Sequence, residues 1–158
     1  MPHPRERKPM KVYLGADHGG YKLKEAIKYW LREWDIRFED LGAHEFRPDD
    51  DYPDFAWPVA VKVGHEQGAM GILACRSGQG ECIVANKARG ARAALAWNDS
   101  VAKAARHDDD VNILCLPADY LTLDNAKAIV HDFLTTPFAA EERFIRRVNK
   151  VKKIEENL

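Results

Sequence analysis

The chain has 158 residues, and its 24 Lys and Arg residues nearly balance 25 Asp and Glu residues, which gives a formal net charge of −1. This length corresponds to one domain of ordinary size, and the balanced charge argues against binding of nucleic acid through a basic surface. No apolar segment is long enough to cross a bilayer, which argues against a membrane protein.

The first part of the chain begins with a short leader and then alternates strand and helix patterns. Residues 1–10 lack the apolar core of a signal peptide, and we interpret them as a flexible leader ahead of a single domain over 11–158. Pro53 lies near an expected helix start, and Pro58 either bends that helix or marks its true first turn. The predicted elements are a strand at 11–15, a helix at 20–34, a strand at 36–41, a polar loop at 42–51 and a helix at 52–65.

The second part continues this alternation as far as a basic C-terminal helix. Strands that alternate with helices pair in parallel and have both faces covered, so the pattern predicts an α/β protein with a parallel sheet. The three cysteines lie within apolar segments and are odd in number, which indicates a reduced, cytoplasmic protein. The predicted elements are strands at 69–75, 92–96 and 111–116, and helices at 81–88, 98–106, 123–134 and 139–157.

A glycine-rich turn at residues 76–80 carries more chemical information than any other stretch. The strand before it ends in Cys75, the helix after it begins at Glu81, and Ser77 lies between them. At such a turn of an α/β protein, free backbone amides and a helix N-terminus bind anions. A thiol, a hydroxyl and a carboxylate beside these amides suit proton transfer next to a developing oxyanion. The sequence therefore predicts an acid–base site at this turn.

The C-terminal helix is amphipathic and strongly basic. Arg143 and Arg147 are one helical turn apart and lie on one face, where two guanidinium groups suit the binding of a phosphate. The alternative is that these charges only form a solvated surface on a helix that packs against its own domain. The apolar stripe of this helix consists of Phe144, Val148, Val151 and Ile154.

A set of short motifs occurs along the chain in a fixed order. They are Asp17-His18, Asp51-Tyr52-Pro53-Asp54, Ser77-Gly-x-Gly80, Ala85-Asn86-Lys87, Gly90-x-Arg92-Ala93 and Arg143-x-x-x-Arg147-Val148. Each motif alone is unspecific, but the ordered set resembles the ribose-5-phosphate isomerase B family over about residues 11–151. That family also contains the subunits of galactose-6-phosphate isomerase.

The resemblance implies a fold, an assembly and a reaction. The implied fold is Rossmann-like, a doubly wound five-stranded parallel sheet with helices on both faces. The implied assembly is a homodimer, or a tetramer of paired dimers, in which two subunits build each active site and the C-terminal helix packs on the partner subunit. The implied reaction is aldose–ketose isomerisation of ribose 5-phosphate and ribulose 5-phosphate through an enediolate, without metal or organic cofactor. The alternatives are allose 6-, galactose 6- or erythrose 4-phosphate, or a non-catalytic sugar-phosphate-binding subunit.

The identity of the catalytic base is ambiguous in the sequence. One branch of the family uses a cysteine that aligns with Cys75, and the other uses a glutamate that aligns with Glu81. A thiol beside a helix N-terminus is expected to have a lowered pKa, which would favour Cys75. Ser77 and the complete Ser-Gly-Gln-Gly-Glu string are typical of the glutamate branch, and we therefore favour Glu81.

Three positions depart from the family pattern. The position of the ring-opening histidine holds Asp108, and His107 lies one place early, which turns its side chain by ~100° on a helix. Asp119 stands where the family often has a phosphate-binding arginine. Arg76 replaces a usual glycine in the anion-binding turn and either restores the lost positive charge or points to solvent.

The remaining candidate residues are assigned by their place in the chain. Asp17 and His18 follow the first strand and are expected to contact the ligand, the alternative being a helix-capping and loop role. Tyr52 either belongs to the core or stacks near the sugar. The predicted catalytic residues are Glu81, Cys75, Ser77 and Asp108, the predicted substrate-binding residues are Asp17, His18, Tyr52, Arg76, Gly78, Gly80, Asn98, Arg143 and Arg147, and no metal ligand is predicted.

Overall fold

The computed structural model describes residues 10–158. The predicted leader therefore lies outside the described residues, except for Met10, whose side chain packs against the hydrophobic core. The strands are β1 (Lys11–Ala16), β2 (Arg37–Asp40), β3 (Met70–Cys75), β4 (Ala93–Leu95) and β5 (Ile113–Pro117). The helices are α1 (Tyr21–Glu33), α2 (Pro53–His65), α3 (Gln79–Ala85), α4 (Asp99–Asp109), α5 (Leu123–Thr135) and α6 (Glu142–Glu156), with a short 3-10 helix at Ala118–Tyr120.

The strands form a single parallel sheet in the order β2-β1-β3-β5-β4. This confirms the predicted Rossmann-like α/β fold. The helix that follows β1 packs on one face of the sheet and the helix that follows β3 packs on the other. The chain therefore leaves these two neighbouring strands in opposite directions, and a crevice opens between their carboxyl ends. Sheets of this kind bind their ligands in that crevice.

Hydrophobic side chains cover both faces of the sheet. Along β1, Val12 and Leu14 belong to one buried cluster and Tyr13 belongs to the other, as the alternation of side chains along a strand requires. The first cluster includes residues of α1, α4 and α5, and the second includes residues of α2 and α3. Burial on both sides explains why the central strands β3 and β5 are apolar runs without alternation, whereas the edge strand β2 is largely polar.

The helices differ from their predicted boundaries by up to three residues. Helix α3 spans Gln79–Ala85 instead of 81–88, so Glu81 lies in its first turn and not at its start, and α6 begins at Glu142 instead of residue 139. Helix α2 begins at Pro53, a position that suits proline because the first amide of a helix has no intrahelical partner, and it runs on through Pro58. Helix α4 continues to Asp109, beyond the predicted end at residue 106, so that His107 and Asp108 are helical. It ends at Asp110, which takes the left-handed conformation with φ of 49°.

The apolar stripe of α6 is divided between the interior and the surface. Phe144 and Val148 are buried against the same chain, and the Phe144 ring meets the His107 ring edge-on at 5.6 Å between centroids. Val151 and Ile154 remain 53% and 65% exposed. None of the helices within residues 10–158 combines the length and apolar character that crossing a membrane requires.

Candidate active site

Two glycines shape the start of α3: Gly78 caps the helix at the end of the turn after β3, and Gly80 lies in the first helical turn. Gly78 has φ of +77°, and a Cβ there would lie 2.5 Å from the side chain of Leu95. A Cβ on Gly80 would lie 2.5 Å from the ring of Tyr52, so the ring packs directly on the backbone of α3. Only glycine therefore allows these close approaches. The half-buried Ser77 lies in the same turn.

Glu81 is completely buried, with an exposed fraction of 0%. Neither of its carboxyl oxygens accepts a hydrogen bond of normal geometry from the described residues. Burial, followed by the charge of Asp17, raises its pKa well above the ordinary value of a glutamate, although the Cys75 thiol and the Asp17 backbone amide oppose the rise. A buried carboxyl group without a full set of partners is costly for folding, which is typical of a functional group.

The Cys75 thiol lies beside Glu81 and is also buried. Its Sγ accepts a hydrogen bond from the Gly78 amide at 3.1 Å. Burial and the negative charge of Glu81 nevertheless raise its pKa to about 12. The expected lowering of this pKa is therefore wrong, because desolvation and a neighbouring carboxyl group outweigh the backbone amides. At neutral pH the side chain is a thiol and not a thiolate.

Asp17 is held at the carboxyl end of β1, on the strand that neighbours β3. Its Oδ1 accepts hydrogen bonds from the amides of Gly19 and Gly20 at 2.9 and 3.2 Å. Burial is the main cause that raises its pKa. A Cβ on Gly20 would lie 2.0 Å from the carbonyl oxygen of Ala74, so this loop packs tightly against β3. The two elements thus bring Asp17 and Glu81 into one buried acidic group.

The loop between β2 and α2 contributes a residue that the sequence analysis missed. Asp50 Oδ1 accepts hydrogen bonds from the His18 amide at 2.9 Å and from the His18 Nδ1 at 2.7 Å. The bond to Asp50 is the main cause that raises the pKa of His18. Asp50 lies between two other aspartates in a polar loop, and nothing in the local pattern distinguishes it from them.

Arg76 and Asp119, two separate departures from the family pattern, form an ion pair. The Arg76 Nε donates to Asp119 Oδ2 at 2.9 Å, and the Asp119 amide donates to the Arg76 carbonyl at 3.0 Å. The aliphatic part of Arg76 crosses Gly19, where a Cβ would lie 2.2 Å from the Arg76 Cγ. The arginine therefore lies over the loop that carries Asp17 and is held there from the end of β5.

Asn98 caps α4, since its Oδ1 accepts a hydrogen bond from the Val101 amide at 2.9 Å. This structural role accounts for the residue type without a ligand. Tyr52 is 38% exposed and its ring packs on Gly80, so it is not a core residue.

Three of the predicted site residues do not approach Glu81 within one chain. Helix α4 starts at the carboxyl edge of the sheet and runs for 11 residues, about 16 Å, so Asp108 lies at the amino edge. Arg143 lies at the start of α6, which packs on the end of α4 through Phe144 and His107, and it pairs with Glu141 at 3.2 Å. Arg147 follows one turn later on the exposed surface of that helix.

The described residues contain one group of side chains with the composition of a metal site. Atoms of Asp17, His18 and Asp50 lie within 4.8 Å of one another. The hydrogen bond between His18 Nδ1 and Asp50, at 2.7 Å, places a proton where a cation would need a lone pair. The arrangement therefore suits a hydrogen-bonded dyad better than a set of ligands.

Comparison with protein-family models matches residues 12–151 to the family described as ribose/galactose isomerase. Among curated proteins, the ribose-5-phosphate isomerase B of Mycobacterium tuberculosis strain H37Rv is 40% identical over 146 residues, which cover 92% of this chain and 90% of that protein. The probable ribose-5-phosphate isomerase B of Mycoplasma genitalium is 39% identical and covers 91% of this chain and 95% of that protein.

Solved structures agree with the sequence comparison. The ribose-5-phosphate isomerase B of Mycoplasma genitalium with bound ribulose-5-phosphate matches with a TM-score of 0.92 and 37% identity, and the match covers 96% of this chain and all of that chain. The type B ribose 5-phosphate isomerase of Trypanosoma cruzi matches with a TM-score of 0.90 and 34% identity over 95% of this chain and 99% of that chain.

Proposed function

The chain belongs to the ribose/galactose isomerase family, and on that premise we propose that it interconverts ribose 5-phosphate and ribulose 5-phosphate. The observation that carries the proposal is the likeness, at a TM-score of 0.92, to a relative named for this activity with ribulose-5-phosphate bound. The buried Glu81 beside Ser77 and the turn at 76–80 supply the acid–base group that the reaction needs.

The isomerisation moves one proton between two neighbouring carbons. The Glu81 carboxylate removes the proton from C2 of the open-chain aldose, and the C–H electron pair forms the enediolate while negative charge develops on O1. Backbone amides of residues 76–80 stabilise that charge. Ser77 passes the O2 proton to O1, and the protonated Glu81 returns its proton to C1, which leaves the ketone at C2. Each group is thereby restored without a cofactor.

The pKa values of the two candidate bases favour Glu81. A thiol with a pKa of about 12 holds its proton at neutral pH, so Cys75 is a poor base. Burial raises the pKa of Glu81 well above its ordinary value, which increases the basicity of its ionised form. Cys75 then serves as a neutral neighbour that lies against the carboxyl group.

The phosphate-binding residues belong, in this proposal, to a second subunit. Arg143 and Arg147 lie away from Glu81 in their own chain, yet both are exposed on one face of α6. A homodimer, or a tetramer of such dimers, brings the α6 of one subunit to the crevice of the other. The exposed Val151 and Ile154 on the same helix supply apolar surface for that contact. Asp108 would reach the shared site by the same route.

A reducing compartment, such as the cytoplasm, fits the chain. The described cysteines Cys75, Cys82 and Cys115 are all free thiols, and two of them are buried. Disulfides are rare in the cytoplasm, where thiols stay reduced.

The test is an assay of the purified protein with ribose 5-phosphate in the presence of a metal chelator. We expect ribulose 5-phosphate to form at undiminished rate. Stabilisation of the fold by inorganic phosphate without turnover would instead indicate a non-catalytic binding subunit. The substrate assignment is tested by kcat/KM for ribose 5-phosphate, allose 6-phosphate, galactose 6-phosphate and erythrose 4-phosphate, and a value for ribose 5-phosphate well below any other would contradict it.

A further inference from the structure

His18 and Asp50 form a dyad whose geometry is fixed from both sides. One carboxylate oxygen of Asp50 accepts from the His18 amide and from its Nδ1, at 2.9 and 2.7 Å. The imidazole is thus fixed in one orientation, with Nε2 on the side of the ring away from Asp50. His18 is 28% exposed and Asp50 only 10%, so the ring reaches the surface of the site while the carboxylate behind it is largely desolvated.

The loop that carries Asp50 is anchored beside β1. The Ala16 amide donates to the Gly42 carbonyl at 2.8 Å, and the Ala43 amide donates to the Ala16 carbonyl at 2.7 Å. The buried Lys24 donates to Asp40 and to the Ala43 carbonyl at 2.6 and 2.7 Å. These bonds hold the start of the loop directly next to Asp17 and His18, so that Asp50 meets the imidazole at a defined position.

The dyad lies at the acid–base centre of the chain. Atoms of Asp17, His18 and Asp50 lie within 4.8 Å of one another, and Asp17 is close enough to Glu81 to raise its pKa. The charged groups that act on the pKa of His18 are Asp50 and Asp17, which raise it, and Arg76, which lowers it. The net rise of the His18 pKa favours the protonated imidazolium, which is the form that a general acid needs.

We propose that His18, held by Asp50, is the acid that opens the furanose ring of ribose 5-phosphate in this protein. This inference rests on the proposed function. It also accounts for the absence of a histidine at position 108, where the chain has an aspartate. The imidazole then performs, from within the same chain as Glu81, the step for which the family motif supplies a histidine.

Ring opening requires one proton to leave the sugar and one to arrive. The His18 imidazolium gives its Nε2 proton to the ring oxygen O4 as the C1–O4 bond breaks and its electron pair moves to O4. The O1–H electron pair forms the C1=O double bond, and the O1 proton passes to the Asp17 carboxylate. The Asp17 proton then returns to His18 through solvent, which restores both groups. Asp50 touches no substrate and acts as a positioning residue.

The test measures rate against enzyme concentration in both directions. Ribulose 5-phosphate cannot form a furanose ring, because its C5 oxygen is esterified, whereas ribose 5-phosphate must open first. For His18→Gln we expect consumption of ribose 5-phosphate to level off at the spontaneous ring-opening rate as enzyme is added. Initial consumption of ribulose 5-phosphate should stay proportional to enzyme. The matched control His44→Gln alters an exposed histidine of the neighbouring loop. In wild type and in this control, both rates should stay proportional to enzyme concentration.

A second variant tests the role of Asp50. In Asp50→Asn the amide oxygen still accepts from His18, so the orientation is kept while the charge that raises the pKa of His18 is lost. The alkaline limb of the ribose 5-phosphate pH profile should therefore move to lower pH, and Asp49→Asn should leave it in place. An unchanged limb would show that Asp50 only supports the loop and would overturn its part of the proposal.

The remaining outcomes contradict the assignment of His18. It is overturned if His18→Gln loses both directions equally, keeps both proportional to enzyme, or is unaffected. It is also overturned if the rate of ribose 5-phosphate consumption levels off in Asp108→Asn or His107→Gln instead. A wild-type protein without isomerase activity is a different result, since it would refute the proposed function itself.

Discussion

At the scale of single residues, the site concentrates groups that destabilise the fold. Glu81 and Asp17 are both buried acids with raised pKa values, and Cys75 beside them is a thiol that desolvation keeps neutral. A fold gains nothing in stability from such a cluster, because each ionisation has to occur away from water. Its presence at the crevice of the sheet is therefore best explained by catalysis.

The raised pKa of Glu81 predicts a pH-dependent stability. The folded chain holds the carboxyl proton of Glu81 more tightly than the unfolded chain, in which a glutamate has a pKa of about 4.3. The favourable contribution is complete below that value and is lost as the pH rises toward the folded-state pKa. Glu81→Gln should therefore raise the Tm at pH 7 and change it little at pH 4, whereas the exposed control Glu156→Gln should change neither. A variant that is less stable than wild type at pH 7 would contradict this.

The Arg76–Asp119 pair predicts a coupled effect on substrate binding. Only Nε of the guanidinium has a hydrogen bond among the described contacts, which leaves its terminal nitrogens for an anionic substrate. Arg76→Ala should raise KM by about tenfold or more, as for a lost hydrogen bond to a charged group. Asp119→Ala should raise KM less, and the double variant should match Arg76→Ala alone.

The stability readout separates binding from folding at this pair. Both residues are largely exposed, at 71% and 44% of their side chains, so the free energy of unfolding should change by no more than about 1 kcal/mol. Arg47→Ala, which breaks the exposed pair with Glu45, is the control and should leave KM unchanged. Additive KM effects of Arg76→Ala and Asp119→Ala would show that the two residues act independently.

At the scale of elements, periodicity predicted most of the fold. The five strands and the helices between them follow from apolar runs and helical spacing, and their order implied the parallel sheet. The end of α4 was missed because Asp110, and not glycine or asparagine, takes the left-handed position that stops the helix. The glycine turn was predicted from its sequence, since Gly78 and Gly80 serve local backbone needs.

Contacts between distant elements could not be predicted in this way. The His18–Asp50 and Arg76–Asp119 pairs join residues 32 and 43 positions apart, and each depends on how loops meet above the sheet. The pKa of Cys75 was misjudged because burial, and after it the charge of Glu81, outweigh the backbone amides that lower it. Local patterns do not encode such desolvation.

Helix α6 predicts a difference between cationic residues on its two sides. Arg143→Ala and Arg147→Ala should each weaken phosphate recognition by roughly 1.5–3 kcal/mol, mainly as a higher KM. Lys152→Ala is the matched control, because this exposed residue points ~180° around the helix from Arg143, and its KM should equal that of wild type. Unchanged KM in the first two variants would mean that α6 is only a solvated helix.

At the scale of the whole molecule, the chain separates its acid–base group from its cationic helix. The crevice with Glu81 opens at the carboxyl edge of the sheet, while α6 packs at the other edge, where its Glu155 accepts from the Gly90 amide at 3.0 Å. An active site that needs both parts requires a second subunit. Assembly and activity are therefore coupled in the proposed mechanism.

This coupling predicts that a surface change far from Glu81 abolishes activity. Ile154 is 65% exposed, so Ile154→Asp should leave the Tm of the isolated chain nearly unchanged. Ile154→Asp should shift the protein toward monomer in sedimentation velocity and lower kcat/KM in parallel. The control Lys153→Asp, on the same turn, should have a much smaller effect on both measurements. A monomeric variant with full activity would contradict the shared site.

The central claim is that Glu81, and not Cys75, is the catalytic base. The most direct test is to measure kcat for ribose 5-phosphate at saturation in variants of these two residues. Glu81→Gln removes the proposed base and should lower kcat by several orders of magnitude while sugar phosphate still binds. Cys75→Ala, with Cys82→Ala as its control, should keep most of the wild-type kcat, since its thiol is protonated. The account is contradicted if Cys75→Ala abolishes turnover and Glu81→Gln does not.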